Sequence, residues 1–240
     1  MDMELDYRIA ADARTSERAA FIRRTYAHLA GAILAFAALE VVLFNYAPPV
    51  VVETILRTMM GSRFSWLFVL GGFMLVSWIA QSWARSDTSR GLQYLGLGLY
   101  VVAEAVLFVP LLFAAQFLYP DQHLVAKAGI MTLAVFGGLT LAVFVSGKDF
   151  SGLRTVLCVG SLLAFGFIVA SILFQFEGMV VLIFCFAMVA LASGWIIYQT
   201  SNVIHHYRTD QYVAASLALF AAVALLFWYI LEIFLLRSRR

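Results

Sequence analysis

The chain has 240 residues, of which 63% are hydrophobic and only 12% charged, with a mean hydropathy of +0.92. Soluble domains are about half apolar and about a quarter charged, so a soluble globular protein is excluded and lipid is the solvent for most of this surface. The formal net charge of +2 says little about partners, because position outweighs sum in a membrane protein. The lipid bilayer is the expected partner, and no nucleic acid is.

The first 25 residues are polar and mixed in charge. They lack the basic segment followed by a short apolar core that marks a cleavable signal peptide. They read as a polar cytoplasmic tail (residues 1–25), flexible to about Ser16 and helical beyond. Residues 26–236 read as a membrane domain, and residues 237–240 as a basic C-terminal tail. The expected membrane helices cover residues 26–44, 65–84, 92–118, 125–145, 153–174, 179–198 and 212–236. Each approaches or exceeds the roughly 20 residues a hydrocarbon core requires. Helices are the open-chain solution that pairs every backbone group in lipid, and no segment alternates as a barrel strand does. The fold class is therefore an all-α membrane protein, a seven-transmembrane-helix bundle. The connection at residues 45–64, with Pro48-Pro49 and Val50-Val51-Val52, reads as lying on the membrane surface.

Ten of the 16 Lys and Arg residues fall on one side if the N-terminus is inside, and six on the other. The positive-inside bias predicts a cytoplasmic N-terminus and an outside C-terminus. Ala214, Ala218 and Ala222 recur at i, i+4 and i+8 on the seventh span, with Ala221 beside them. Such a stripe admits close helix packing; ordinary packing is its first reading, and a last helix at the centre of the bundle is the other. Gly160 with Ala164, Gly166 with Ala170, and Ala190 with Gly194 repeat the theme.

Ionisable groups within spans are few and are the natural candidates for function. Glu40 and Glu232 lie near span ends and read as interfacial carboxylates. Glu104 lies mid-span, with Gln93 and Tyr100 expected on its face and Pro110 following to kink the helix. Two readings stand for it: a proton or cation site, or a neutral glutamic acid bonded to a neighbouring helix. Ser77, Gln81 and Arg85 form one polar stripe, and Gln199, Asn202 and His206 another; packing hydrogen bonds are their first reading. His205-His206 reads as a surface pair, and histidine's titration near neutrality makes both pH-responsive candidates. Cys158 and Cys185 sit in apolar stretches as small hydrophobes. No metal site or cofactor is expected. No catalytic motif of a hydrolase, P-loop or metalloprotease type is present, and the chain reads as a non-enzyme with no catalytic residues.

The junction of the last two spans, from Tyr198-Gln199-Thr200 through Ile204, Tyr207 and Asp210-Gln211-Tyr212 to Ala214-Ala215, resembles the Bax inhibitor 1 family, bacterial branch. Further likenesses are Phe21-Ile22-Arg23-Arg24-Thr25-Tyr26 before Leu29-Ala30, Glu104 in the third span, Phe136-Gly137-Gly138-Leu139-Thr140, and Lys148-Asp149-Phe150-Ser151. The resemblance implies seven helices with the last wrapped by the first six, in a bacterial cytoplasmic (inner) membrane. Some members of that family are pH-sensitive calcium leaks gated by two aspartates that share a proton; the matching positions here are Gln199 and Ala222. Other bacterial members restrain a membrane protease. The leading reading is a cation (calcium or proton) leak channel or permeability regulator without the aspartate-pair pH sensor. Glu104, Tyr100 and Gln199 are its ion-pathway candidates. The alternative is a non-conducting interaction protein that modulates a membrane protease or quality-control complex. A proton-coupled transporter, the third reading, lacks visible inverted repeats.

Overall fold

The computed structural model describes residues 9–62, 64–86 and 89–238. Residues 1–8 of the N-terminal tail and 239–240 of the C-terminal tail lie outside the described residues. Among the described residues, seven helices are long and apolar enough to cross a membrane. They are α1 (Thr15–Asn45), α3 (Ser65–Ala84), α4 (Arg90–Phe113), α5 (Leu124–Ser146), α6 (Leu153–Phe174), α7 (Met179–His205) and α8 (Tyr212–Ser238). An eighth, α2 (Pro49–Met60), fills the connection at residues 45–64. Pro49 sits at its first position, where a missing N–H costs nothing. With 12 residues it is too short to span. It packs on α1, α3 and α4, burying Met59 and exposing Val50 and Met60.

The last helix is the centre of the molecule. α8 packs on α7, α1, α5, α4 and α3. Its most apolar window is 61% buried, against 44% at most for any other span. Leu219, Leu226 and Leu231 are wholly enclosed. The Ser216 hydroxyl, also buried, reaches the carbonyl of Thr25 at 2.8 Å and so ties α8 to α1. Outer helices present bare apolar side chains instead: Phe68 on α3, Leu162 and Phe174 on α6, Val145 on α5. In water that surface would be prohibitive; against lipid it is the expected exterior.

Helix ends carry the local chemistry. Ser89 caps α4 by accepting the Leu92 N–H. Pro110, inside α4, cannot donate to the carbonyl four residues back, and the helix passes into a π turn over Ala114–Leu118. Gly96 sets the tightest crossing: a Cβ there would lie 2.5 Å from the Ala80 carbonyl oxygen and 2.7 Å from the Ala84 nitrogen. On the side where the chain begins, Ala10 N–H donates to the Tyr207 carbonyl at 2.9 Å and Ile9 bridges to Arg208. The segment before α1 thus docks on the turn between α7 and α8. The membrane face holding these groups is called the N-terminal side below, and the opposite face the far side.

Candidate functional site

Five helices, α3, α4, α6, α7 and α8, line a cavity of about 720 Å³ beside the central helix. Gln81 and Arg85 of α3 and Gln199 of α7 lie toward the N-terminal side; Glu104 of α4 lies at mid-depth; Glu232 of α8 and Trp66 of α3 lie toward the far side. The floor is the small-residue face of α8: Ala218, Ala221 and Ala222. Alanines here leave space where larger residues would fill it. The tight packing expected at Ala218 is not found: it is half-buried and faces the cavity, although Ala214 and Ala222 are buried.

Glu104 and Tyr100, each 5% exposed, line this space one turn apart on α4, with the Tyr100 hydroxyl at the Glu104 carboxyl. The Tyr100 ring is fixed by Phe73, at 5.9 Å between centroids, and edge-on by Phe220 at 6.0 Å. Gln93 does not join them. Its side-chain amide donates to the Ser86 carbonyl at 2.7 Å and stabilises the α3–α4 turn. An amide near a helix start finds an orphan carbonyl more readily than it reaches a cavity 11 residues along.

Glu40 and Glu232 depart from the interfacial reading. Glu40 is 7% exposed, and both of its carboxyl oxygens are buried without a hydrogen-bond partner. Phe36 and Phe44, one turn before and after it on α1, pack on Phe108 of α4 and on Phe117, so this face of α1 turns into the bundle. Glu232 lines the cavity and accepts a hydrogen bond from Trp228 Nε1–H at 3.1 Å. It also lines a second cavity of about 410 Å³ on the far side, with Met59, Ser62 and Pro110. Trp66, Trp228 and Glu232 border both cavities, and the two indole rings stand 6.2 Å apart. Sequence reasoning missed this meeting point, because Trp66 and Trp228 stand 162 residues apart.

Gln199 and Ala222 both line the main cavity, so the two matched positions face one space. The Gln199 carbonyl oxygen accepts from the Asn202 amide at 3.4 Å. Neither side chain titrates. His205 and His206 lie away from the cavity. His205 Nε2 is buried without a partner, whereas His206 Nε2 meets the Asp149 carboxylate at 3.0 Å. Asp149 sits in the α5–α6 loop and also reaches Ser201 at 3.4 Å, whose hydroxyl in turn accepts the Phe150 N–H at 2.8 Å. The backbone N–H of Ser151 holds the Asp149 carboxyl down to about 2; slight desolvation opposes this, and His206 assists it. Among the described residues no group of three or more His, Cys, Asp or Glu is placed to hold a metal.

Residues 18–239 match the family model described as "Inhibitor of apoptosis-promoting Bax1". The chain is 32% identical over 143 residues to Protein lifeguard 4 of Mus musculus, covering 57% of each chain. It is 33% identical over 110 residues to an uncharacterized protein of Pseudomonas aeruginosa, covering 46% of this chain and 49% of that one. It is 29% identical over 137 residues to the Golgi anti-apoptotic protein of vaccinia virus, covering 57% of each. The chain thus matches about half the length of these relatives.

Proposed function

The chain belongs to the Bax inhibitor 1 family, and from that premise we propose that it is a cation leak or permeability regulator, for calcium or protons. One observation carries this reading: the cavity runs from Gln81, Arg85 and Gln199 past Glu104 to Glu232. Carboxylates inside a membrane domain are retained where they line a path or pair, and here two lie along one space. The protein is not an enzyme in this reading. It sits in a bacterial cytoplasmic membrane with its N-terminus inside. It lacks the aspartate-pair sensor, because Gln199 and Ala222 cannot share a proton. Purified protein in liposomes should pass calcium or protons, and Glu104→Gln should reduce that flux. Absence of any flux above protein-free liposomes would sink the reading.

A second reading has its own support. Ile9 and Ala10 dock on the α7–α8 turn at Arg208 and Tyr207, which ties this part of the N-terminal segment to the bundle. An interaction protein that modulates a membrane protease would use such a handle without conducting. Co-purification with a membrane protease that is lost on deleting residues 1–14, in a protein that passes no ion, would favour it.

A further inference from the structure

A second polar cluster lies outside the cavity, on the N-terminal side of the seam between α1 and α4. His28 Nε2 of α1 stands 3.2 Å from the hydroxyl of Tyr94 on α4, which stands 3.3 Å from the hydroxyl of Tyr212 on α8. His28 Nδ1 lies 2.7 Å from the Arg24 carbonyl. A carbonyl only accepts, so Nδ1 carries the proton and donates. In the neutral ring Nε2 then accepts from Tyr94, and Tyr94 accepts from Tyr212. This directed chain ties three helices together at one depth. Arg24 and Arg90 stand four residues before His28 and Tyr94, one turn or about 6 Å nearer the membrane face. Both are exposed. The Arg24 guanidinium is 5.8 Å from the centre of the Tyr212 ring, and both guanidinium charges act on the Tyr94 hydroxyl. Asp210, the acidic residue nearest Tyr212 in the sequence, is already engaged by Arg208 at 2.8 Å.

Two guanidiniums that reach the same hydroxyl repel one another, and an anion between them removes the repulsion. Their planar forks match a phosphate, whose oxygens accept from both. Deeper in the membrane the two helices present small residues. Gly31, seven residues after Arg24, and Gly98, eight after Arg90, are exposed, and a Cβ on either would meet nothing within 4 Å. Leu34 and Leu95, about a turn from each glycine, are exposed too. A soluble phosphate would satisfy the arginines and leave this apolar strip bare. A phospholipid satisfies both, with its head on the arginines and an acyl chain along the glycines. We propose that the α1–α4 seam binds an anionic phospholipid, its phosphate held between Arg24 and Arg90. A zwitterionic lipid suits the pair less well, because its own ammonium already offsets its phosphate. The site stands apart from the cavity, whose described lining includes no residue of α1. The inference therefore goes beyond the leak reading and does not rest on it.

The test uses purified full-length protein in detergent, with dioleoyl phosphatidylglycerol as the probe. Dioleoyl phosphatidylcholine supplies the same chains under a zwitterionic head, and glycerol phosphate supplies the head chemistry without a chain. Native mass spectrometry counts bound lipid, and thermal midpoints follow the titration. Phosphatidylglycerol should bind saturably and raise the midpoint, and neither of the others should. Arg24→Gln and Arg90→Gln should each weaken that binding about tenfold or more. Arg154→Gln, at an exposed arginine on the same side but outside the cluster, should leave it unchanged. Lipid-free midpoints confirm that each variant is folded; if one is not, the other arginine and the choice between the two lipids decide. Equal binding of the two lipids, as a carboxylate such as Asp87 cancelling the pair would give, overturns the inference. So does binding that is unchanged in both arginine variants, or that Arg154→Gln weakens equally, which would mean diffuse surface charge only. Displacement of the lipid by an equal concentration of glycerol phosphate would mean a soluble-anion site and overturns it as well. Calcium or proton flux, present or absent, bears on the leak reading alone.

Discussion

At the scale of single residues, what matters is which surface a side chain meets. Ala218 faces the cavity, so Ala218→Leu adds methylenes to open space instead of forcing helices apart. The expected outcome is a thermal midpoint in detergent that is unchanged or raised, together with reduced liposome flux. A fall equivalent to about 1–3 kcal/mol, the usual cost of overpacking, would mean that α8 is tightly packed there. Asp149 gives a pH prediction with a definite sign. Its folded pKa of about 2 lies below its ordinary value of 3.8. A depressed carboxyl contributes stability that is fully present above the ordinary value and is lost as pH falls through the folded one. The loop between α5 and α6 should therefore loosen from α7 between about pH 4 and pH 2. Asp149→Asn should flatten that part of a midpoint-against-pH curve. An identical curve for the variant would show that the contacts with Ser151, Ser201 and His206 contribute nothing.

At the scale of elements, the α3–α4 crossing is the strictest contact. A Cβ at Gly96 would meet backbone atoms of Ala80 and Ala84, which cannot swing aside as a side-chain tip does. Gly96→Ala should destabilise by about 1–3 kcal/mol, even after the helix-propensity gain of up to about 1 kcal/mol that alanine brings. Gly98, two residues on in the same helix, has nothing within 4 Å of its would-be Cβ, so Gly98→Ala should keep that gain. Thermal midpoints of the pair isolate the crossing from the propensity. Equal midpoints would mean that α3 moves away at no cost. Elsewhere the small-residue pairs divide: Gly160 and Gly194 meet Leu191 and Leu157 across the α6–α7 contact, whereas Gly166 meets nothing.

At the scale of the whole molecule, seven spanning helices among the described residues leave the start of α1 and the end of α8 at opposite faces of the bundle. Reporter fusions at both ends should give opposite signals, with the N-terminal one cytoplasmic; two cytoplasmic ends would remove a span. The same scale bears on gating. The α7 and α8 positions where the resemblance would place an aspartate pair hold Gln199 and Ala222, and both face the cavity. Flux measured from neutral to acid pH should therefore show no steep transition arising from that helix pair. A steep leak retained in Glu104→Gln and in a His205→Ala, His206→Ala double variant would place a sensor elsewhere.

The seven spans and the central last helix were legible in the sequence because lipid imposes a one-dimensional rule: about 20 consecutive apolar residues, with every backbone bond closed inside the helix. The small-residue stripe of the seventh span pointed to the same helix, although of Ala214, Ala218 and Ala222 only Ala214 is buried away from the cavity. Glu104 was legible for a similar reason, since a mid-span carboxyl is rare whatever surrounds it. Tertiary structure decided the rest. Whether Glu40 reaches water depends on what the α1 face it shares with Phe36 and Phe44 packs against, and no local pattern encodes that. Whether an alanine admits a helix or opens a cavity depends on what stands opposite, and Ala214 and Ala218, one turn apart, differ for that reason alone. The meetings of Trp66 with Trp228 and of Asp149 with His206 join residues 162 and 57 positions apart. Their proximity is set by the packing of whole helices around α8.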